Sequence, residues 1–344
     1  MTRFKDVRTL IIGATIAMMI YGIFVALIGL REFHATLIAI PLSVLSVMLL
    51  TALGGLIAMG GSFYAITRSI GLDLHPIEAI ILFTGINLAH NLTPFGQAGG
   101  EPLGAWFISQ RSKRPYEQCL AAVSALDVIN FVPALLVFTV GGAYIVILEP
   151  TIPPEIRVIL AIFTILVIGI TTAIFVIITY PDRPRVFMHV LAVSINRFLN
   201  RIHSRLSLPS IELQERVDTY MDSLGDVARD QRTVLVSSAL STTAFAAQGM
   251  LLWLGMLAVG EPISLILAVF IVPVSLMASV IPLPGGGGGI EATQILLLVV
   301  SLDVSLALTA MAVILSRGIV YWLPVLLGSI TAGAIVVKHR HHTH

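Results

Sequence analysis

Two stretches decide the reading of this chain: Thr93-Pro-Phe-Gly-Gln-Ala-Gly-Gly-Glu-Pro-Leu-Gly-Ala-Trp106 and Pro282-Leu-Pro-Gly-Gly-Gly-Gly-Gly-Ile-Glu-Ala-Thr-Gln-Ile-Leu-Leu297. Each interrupts a long apolar run, about 77–108 and about 262–300. Proline and glycine end a helix, and irregular backbone at membrane depth persists only where protein or a wet cavity satisfies its polar groups. Each run is therefore expected to be a re-entrant hairpin: a helix, a Gly-rich break and a short returning helix. At a fixed shift of 190 residues the breaks overlay, matching Pro94 with Pro284, Gly96 with Gly286, Gly99 with Gly289 and Glu101 with Glu291. Five consecutive glycines make glycine matches cheap, so the weight falls on the proline and the glutamate. The neighbouring stretches 43–66 and 233–256 fall into step, and the shift sets Asp127 opposite Arg317.

Around the breaks the composition is that of a membrane protein. Of 344 residues 57% are hydrophobic and 11% charged, against about 25% charged in soluble domains. Mean hydropathy is +0.96, which excludes a soluble enzyme. A net charge of +1 argues for neither nucleic acid nor an acidic substrate. The single cysteine, Cys119, cannot form an internal disulfide, and no spacing resembles a metal motif, so neither metal nor cofactor is expected.

Six apolar stretches suffice to cross about 30 Å of hydrocarbon: 9–30, 36–66, 118–148, 156–180, 233–259 and 304–334. The first follows Arg3, Lys5 and Arg8, lacks a small-residue cleavage site and reads as a retained span. If both hairpins leave on their side of entering and both termini are cytoplasmic, 17 of the 20 Lys and Arg fall inside, and Arg31 and Arg157 outside. The expected fold is an all-α polytopic membrane protein, about six full spans plus two re-entrant broken-helix hairpins in inverted-topology repeats. The expected units are a single membrane domain over 1–344, with a first repeat at 36–148 and a second, inverted repeat at 233–334. Between the repeats, 182–231 is expected to be a cytoplasmic amphipathic helical hairpin. Its first helix aligns Phe187, Leu191, Ile195 and Phe198, with Arg197, Arg201 and Arg205 beside them to recruit anionic headgroups. Its second carries Leu213, Val217, Tyr220, Leu224 and Val227 among acidic residues.

The chemistry is expected at the breaks. Pro102 after Glu101 places that glutamate at a helix start, with Glu291 equivalent. Free N–H groups there, with glycines allowing close approach, suit a carboxylate cap or a phosphate. A charge near the bilayer centre costs about 2.5–3.5 kcal/mol, more than a cap made by Ser or Thr. Asp127, with Ser124 and Asn130 a turn to either side, and Arg317 are the ionisable groups deepest in long spans. Two roles are open: a buried Asp127–Arg317 ion pair holding the units in register, or Arg317 meeting a lipid phosphate while Asp127 neutralises the empty site. Thr84, Asn87, His90 and Asn91 share one helical face before the first break, and Ser237, Ser241 and Gln248 another. Small polar residues of this kind also serve as packing contacts.

Pro94 with Gly99, Gly100 and Glu101, then Pro284 with Gly289 and Glu291, then Arg317 and Pro324 in the last span resemble the membrane region of lysylphosphatidylglycerol synthases. The resemblance covers nearly the whole chain and implies an inverted-repeat lipid translocase; archaeal relatives of this kind are linked to dolichol-phosphate sugars. With no acyltransferase domain after the last span, a stand-alone member that does not aminoacylate phosphatidylglycerol is implied. Ala125-Leu126-Asp127 departs from the acidic-arginine pair of many relatives, which leaves headgroup charge open. The expected function is a flippase that moves a phospholipid or polyprenyl-phosphate-linked lipid through a midplane site. The alternatives are an integral membrane transferase using His90, Glu101 or Asp127 as a base, and a secondary transporter of a small solute. Expected partners are membrane lipids, a second copy of the chain and a lipid-modifying enzyme, with the protein in the cell membrane.

Overall fold

Backbone in lipid must satisfy its own hydrogen bonds, which favours helices. The computed structural model describes residues 3–93, 97–148, 182–202, 209–280, 283–302 and 304–341, together with 158, 162, 165, 169 and 172. Every regular element among them is helical. Pro94, Gly96, Arg205 and most of the expected span 156–180 lie outside the described residues. The α-helices are α1 (Arg3–Ile28), α2 (Leu30–Ala39), α3 (Leu42–Ser69), α4 (Pro76–Leu92), α5 (Gln97–Ser112) and α6 (Tyr116–Leu148). They continue with α7 (Asp182–Ile202), α8 (Ser210–Arg229), α9 (Gln231–Ala258), α10 (Leu265–Leu276), α11 (Gly289–Ser301) and α12 (Leu306–His341). Among the described residues α3, α9 and Leu306–Thr331 of α12 are long and apolar enough to cross a membrane. Ile12–Ile28 with Leu30–Ala39, bent by 92°, makes a fourth if counted as one span. The stretch 36–66 is thus divided: Ile40 and Pro41 separate α2 from α3.

The centre is built from α3 and α9. Small residues let their backbones approach: a Cβ on Gly55 would lie 3.1 Å from Ala247 Cβ, and Ser237 Oγ donates to Ser62 O at 3.2 Å. Against this pair lean α4 and α12, which touch so closely that a Cβ on Gly328 would strike the carbonyl of Thr84. One apolar core joins α3, α4, α5 and α6 around Phe63, Ile86, Ile108 and Leu126, and a second joins α9 to α12 around Leu252, Met256, Ile271 and Val313.

In the polar segment α7 and α8 pair, and α8 also packs on α6. α8 turns Val217 and Val227 inward, and Val227 enters the first core. Arg216 Nη1 reaches Glu117 of α6 at 2.7 Å. α7 is tied to α8 through His189 Nε2 and Asp218 Oδ1 at 3.1 Å, but Phe187, Leu191 and Ile195 remain exposed. Arg197 is exposed beside them; Arg201 lies on the same helix.

Candidate functional site

At the second break α10 is followed by a 3-10 turn, Met277–Val280, and a second 3-10 turn, Pro284–Gly286, precedes α11. Gly285, Gly286 and Gly288 have φ of 60°, 67° and 83°, left-handed values that side chains resist, so these glycines make the reversal. Gly289 opens α11, and Glu291 two residues later reaches back so that Gly288 N–H donates to its Oε2 at 2.7 Å. Its other oxygen, Oε1, accepts from Arg317 Nε of α12 at 3.1 Å and from Tyr21 OH of α1 at 3.3 Å. Glu291 is 1% exposed and Arg317 7%, so this ion pair is inside the protein. Tyr21, Tyr321 and Trp322 cluster beside it, with ring centroids 5.1–6.2 Å apart.

The first break meets the second. Tyr321 OH donates to the carbonyl of Asn91, the penultimate residue of α4, at 2.6 Å, and Asn91 Nδ2 returns to Tyr321 O at 3.5 Å. A Cβ on Gly285 would lie 2.5 Å from Tyr321 Cε2 and 3.1 Å from Asn91 Oδ1. Across the hairpin, Gly99 and Gly100 lie in the first turn of α5, and a Cβ on Gly100 would stand 2.5 Å from His90 N. Only glycine fits there. His90 is buried, and its Nε2 has no partner among the described residues.

Glu101 departs from the expected helix start. α5 begins at Gln97, so Glu101 is its fifth residue and Pro102 lies inside the helix. One turn has already formed before the proline, whose missing N–H removes one bond to the preceding turn. Tyr116 OH donates to Pro102 O, 3.4 Å away. Ser124 Oγ of α6 donates to Glu101 Oε2 at 3.2 Å, and the carboxyl of Asp127, one turn further on, faces that of Glu101 within hydrogen-bonding range. The Asp127–Arg317 pairing expected from the shift is not formed. Each of those residues instead meets a glutamate on the preceding helix, because α5 packs on α6 and α11 on α12. Asn130 meets Ser241 of α9 instead.

A cavity of about 100 Å³ lies between α3, α4, α9 and α12. Its lining is apolar, including Met59, Phe83, Leu323 and Pro324, apart from the amides of Asn87 and Gln248. Asn87 also donates to Phe83 O at 3.2 Å. Among the described residues no three His, Cys, Asp or Glu gather as metal ligands. Sequence reasoning missed Tyr21 and Tyr321. Their signal was a phenol in an apolar stretch, which needs a hydrogen-bond partner when buried.

The chain is 26% identical over 264 residues to a UPF0104 membrane protein of Methanothermobacter thermautotrophicus, covering 75% of this chain and 73% of that protein. A UPF0104 membrane protein of Pyrococcus horikoshii is 24% identical over 269 residues, covering 75% and 76%. The model of the lysylphosphatidylglycerol synthase TM region matches residues 10–328, and the chain belongs to that family.

Proposed function

We propose that this protein is a lipid flippase, in which a phosphate-bearing headgroup crosses at the meeting of two broken helices in inverted repeats. The observation that carries this reading is the Glu291–Arg317 pair, placed against the second break with Tyr21 and the first break's Asn91 close by. Arginine binds phosphate bidentately, and Glu291 occupies it when no headgroup is there. Glu291 keeps two other donors, Gly288 N–H and Tyr21 OH, which offset part of the cost of releasing Arg317 to the headgroup. The headgroup then takes the guanidinium while the acyl or isoprenoid chains stay in lipid.

Support for the repeat comes from element bounds. The shift of 190 brings the starts of α9, α10, α11 and α12 within two residues of the starts of α3, α4, α5 and α6. In this reading the breaks enter from opposite sides and the polar helices α7 and α8 lie on the cytoplasmic side, where Arg197 and its neighbours attract anionic lipid. The intramembrane charges then line a path rather than a packing seam.

The test is leaflet exchange of fluorescent lipids in proteoliposomes, comparing phosphatidylglycerol, an aminoacylated lipid and a polyprenyl-phosphate sugar. Headgroup-selective exchange that disappears in Glu291→Gln and Arg317→Lys supports the proposal. Absence of exchange of every lipid by folded protein overturns it and favours the transferase or solute transporter.

A further inference from the structure

The first half holds an acidic pair where the second holds an ion pair. Glu101 and Asp127 are 26 residues apart, as are Glu291 and Arg317. Asp127 Oδ2 is buried with no donor on it among the described residues, an expensive position for an ionised carboxylate. The Asp127 carboxyl meets that of Glu101 at hydrogen-bonding range, and two carboxyl groups can bond to one another only through a proton carried by one of them. Ser124 donates to Glu101, and the Tyr220 hydroxyl of α8 faces Ser124. α8 is solvated on its other side, with Asp222 and Asp226 exposed. A line of exchangeable groups thus leads from a wet helix to the buried pair.

Among the described residues no cation forms an ion pair with either carboxyl group. Among the described residues the titratable groups recorded against the pair are Tyr116 of α6 and Tyr220 of α8, while α4, packed on α5, carries Glu78 and, against Gly100, His90. Arg216 of α8 is engaged with Glu117 and Glu212. α10 has no titratable residue, α9 only Arg232 in its first turn, and α3 only Tyr64 and Arg68 toward its end.

We infer that Glu101 and Asp127 bind one proton, delivered from the α8 side along Tyr220 and Ser124, and that its movement drives passage of the headgroup at Arg317. The coupling rests on the flippase reading; the proton site does not.

Infrared spectroscopy of the protein in bilayers at neutral pH, with lipid exchange measured in parallel under an imposed proton gradient, tests this. The expected result is a protonated-carboxyl band that shifts in heavy water, is lost in Glu101→Gln and in Asp127→Asn, and persists in Glu291→Gln. Tyr220→Phe, which removes one hydroxyl and leaves the ring to pack, retains the band but slows its deuterium exchange. Lipid exchange rises several-fold with the gradient and falls back with a protonophore. No band in folded wild-type protein, or a band surviving both first-half variants, overturns the proton site. A sodium-dependent rise in melting temperature without the band assigns the pair to a metal cation and overturns it likewise. A band with lipid exchange indifferent to the gradient overturns the coupling. A band with no exchange of any lipid sinks the flippase reading and the coupling while the proton site stands.

Discussion

Glu101 and Glu291 sit after matching breaks and face the long helix that follows, yet one meets Asp127 and the other Arg317. The backbone plan is common; the charge is not. In the proposed flippase, Arg317 would hold the cargo and the acidic pair what moves it, a division that follows from one position differing in sign. The breaks also differ in build. Gly288 and Glu291 form a tight cap in the second half, whereas α5 winds a full turn before its glutamate.

Substitutions sharpen the contrast, and the largest effect is expected at Arg317. Arg317→Met leaves Glu291 charged, buried and short of a partner, which costs about 3–5 kcal/mol in reversible unfolding. The double variant Glu291→Gln with Arg317→Met recovers most of that loss. A deficit equal to the sum of the two single losses would show that the pair is not the reason for the cost.

Gly100→Ala comes next. Its Cβ meets the backbone of His90, and the hairpin must spread, at about 1–3 kcal/mol. The position 190 residues later is Ile290, buried and well accommodated, so the two halves tolerate opposite side-chain sizes. An unchanged melting temperature in Gly100→Ala would contradict the close α4–α5 contact.

Smaller again is the first acidic pair. Glu101→Gln or Asp127→Asn replaces a shared proton with an amide hydrogen bond, and stability should change by about 1 kcal/mol or less. A loss as large as that of Arg317→Met would mean that the halves are not chemically different in the way described.

The smallest effect falls at the start of α9, outside the apolar region. Asp230 caps it, accepting from Thr233 Oγ1 at 2.7 Å and Thr233 N at 3.2 Å, and these bonds hold its carboxyl below the ordinary range. The cap is therefore present at neutral pH and lost as the solution falls below that range. α3, which the shift sets opposite α9, begins at Leu42 after Pro41, which supplies no side-chain cap. Hydrogen exchange should show the first turn of α9, but not of α3, fraying in acid and in Asp230→Ala, while Asp230→Asn keeps its protection.

Much of this architecture was legible in the chain. Glycine and proline mark the breaks through backbone physics, and apolar length marks the helices, so α3, α9 and α12 follow from composition. Glu291, Arg317 and Asn91 stood out because charge and amide groups are costly in an apolar run. What did not follow was partnership. Spacing placed Asp127 opposite Arg317, but opposite in a repeat means equivalent, not adjacent, and each residue instead meets the glutamate of its own half. The inward packing of α8 was hidden as well. Its stripe of Val217, Leu224 and Val227 fits a membrane surface as well as a protein face, and only the three-dimensional course of α6 decides between them.

The most direct test of the account compares leaflet exchange in proteoliposomes by wild-type protein and by the Glu291→Gln, Arg317→Met double variant, after both are shown to be folded with similar melting temperatures. The account predicts selective exchange of a phosphate-bearing lipid by the wild type and its loss in the double variant. Equal exchange by the two proteins would contradict it, because the headgroup would then be crossing without the arginine.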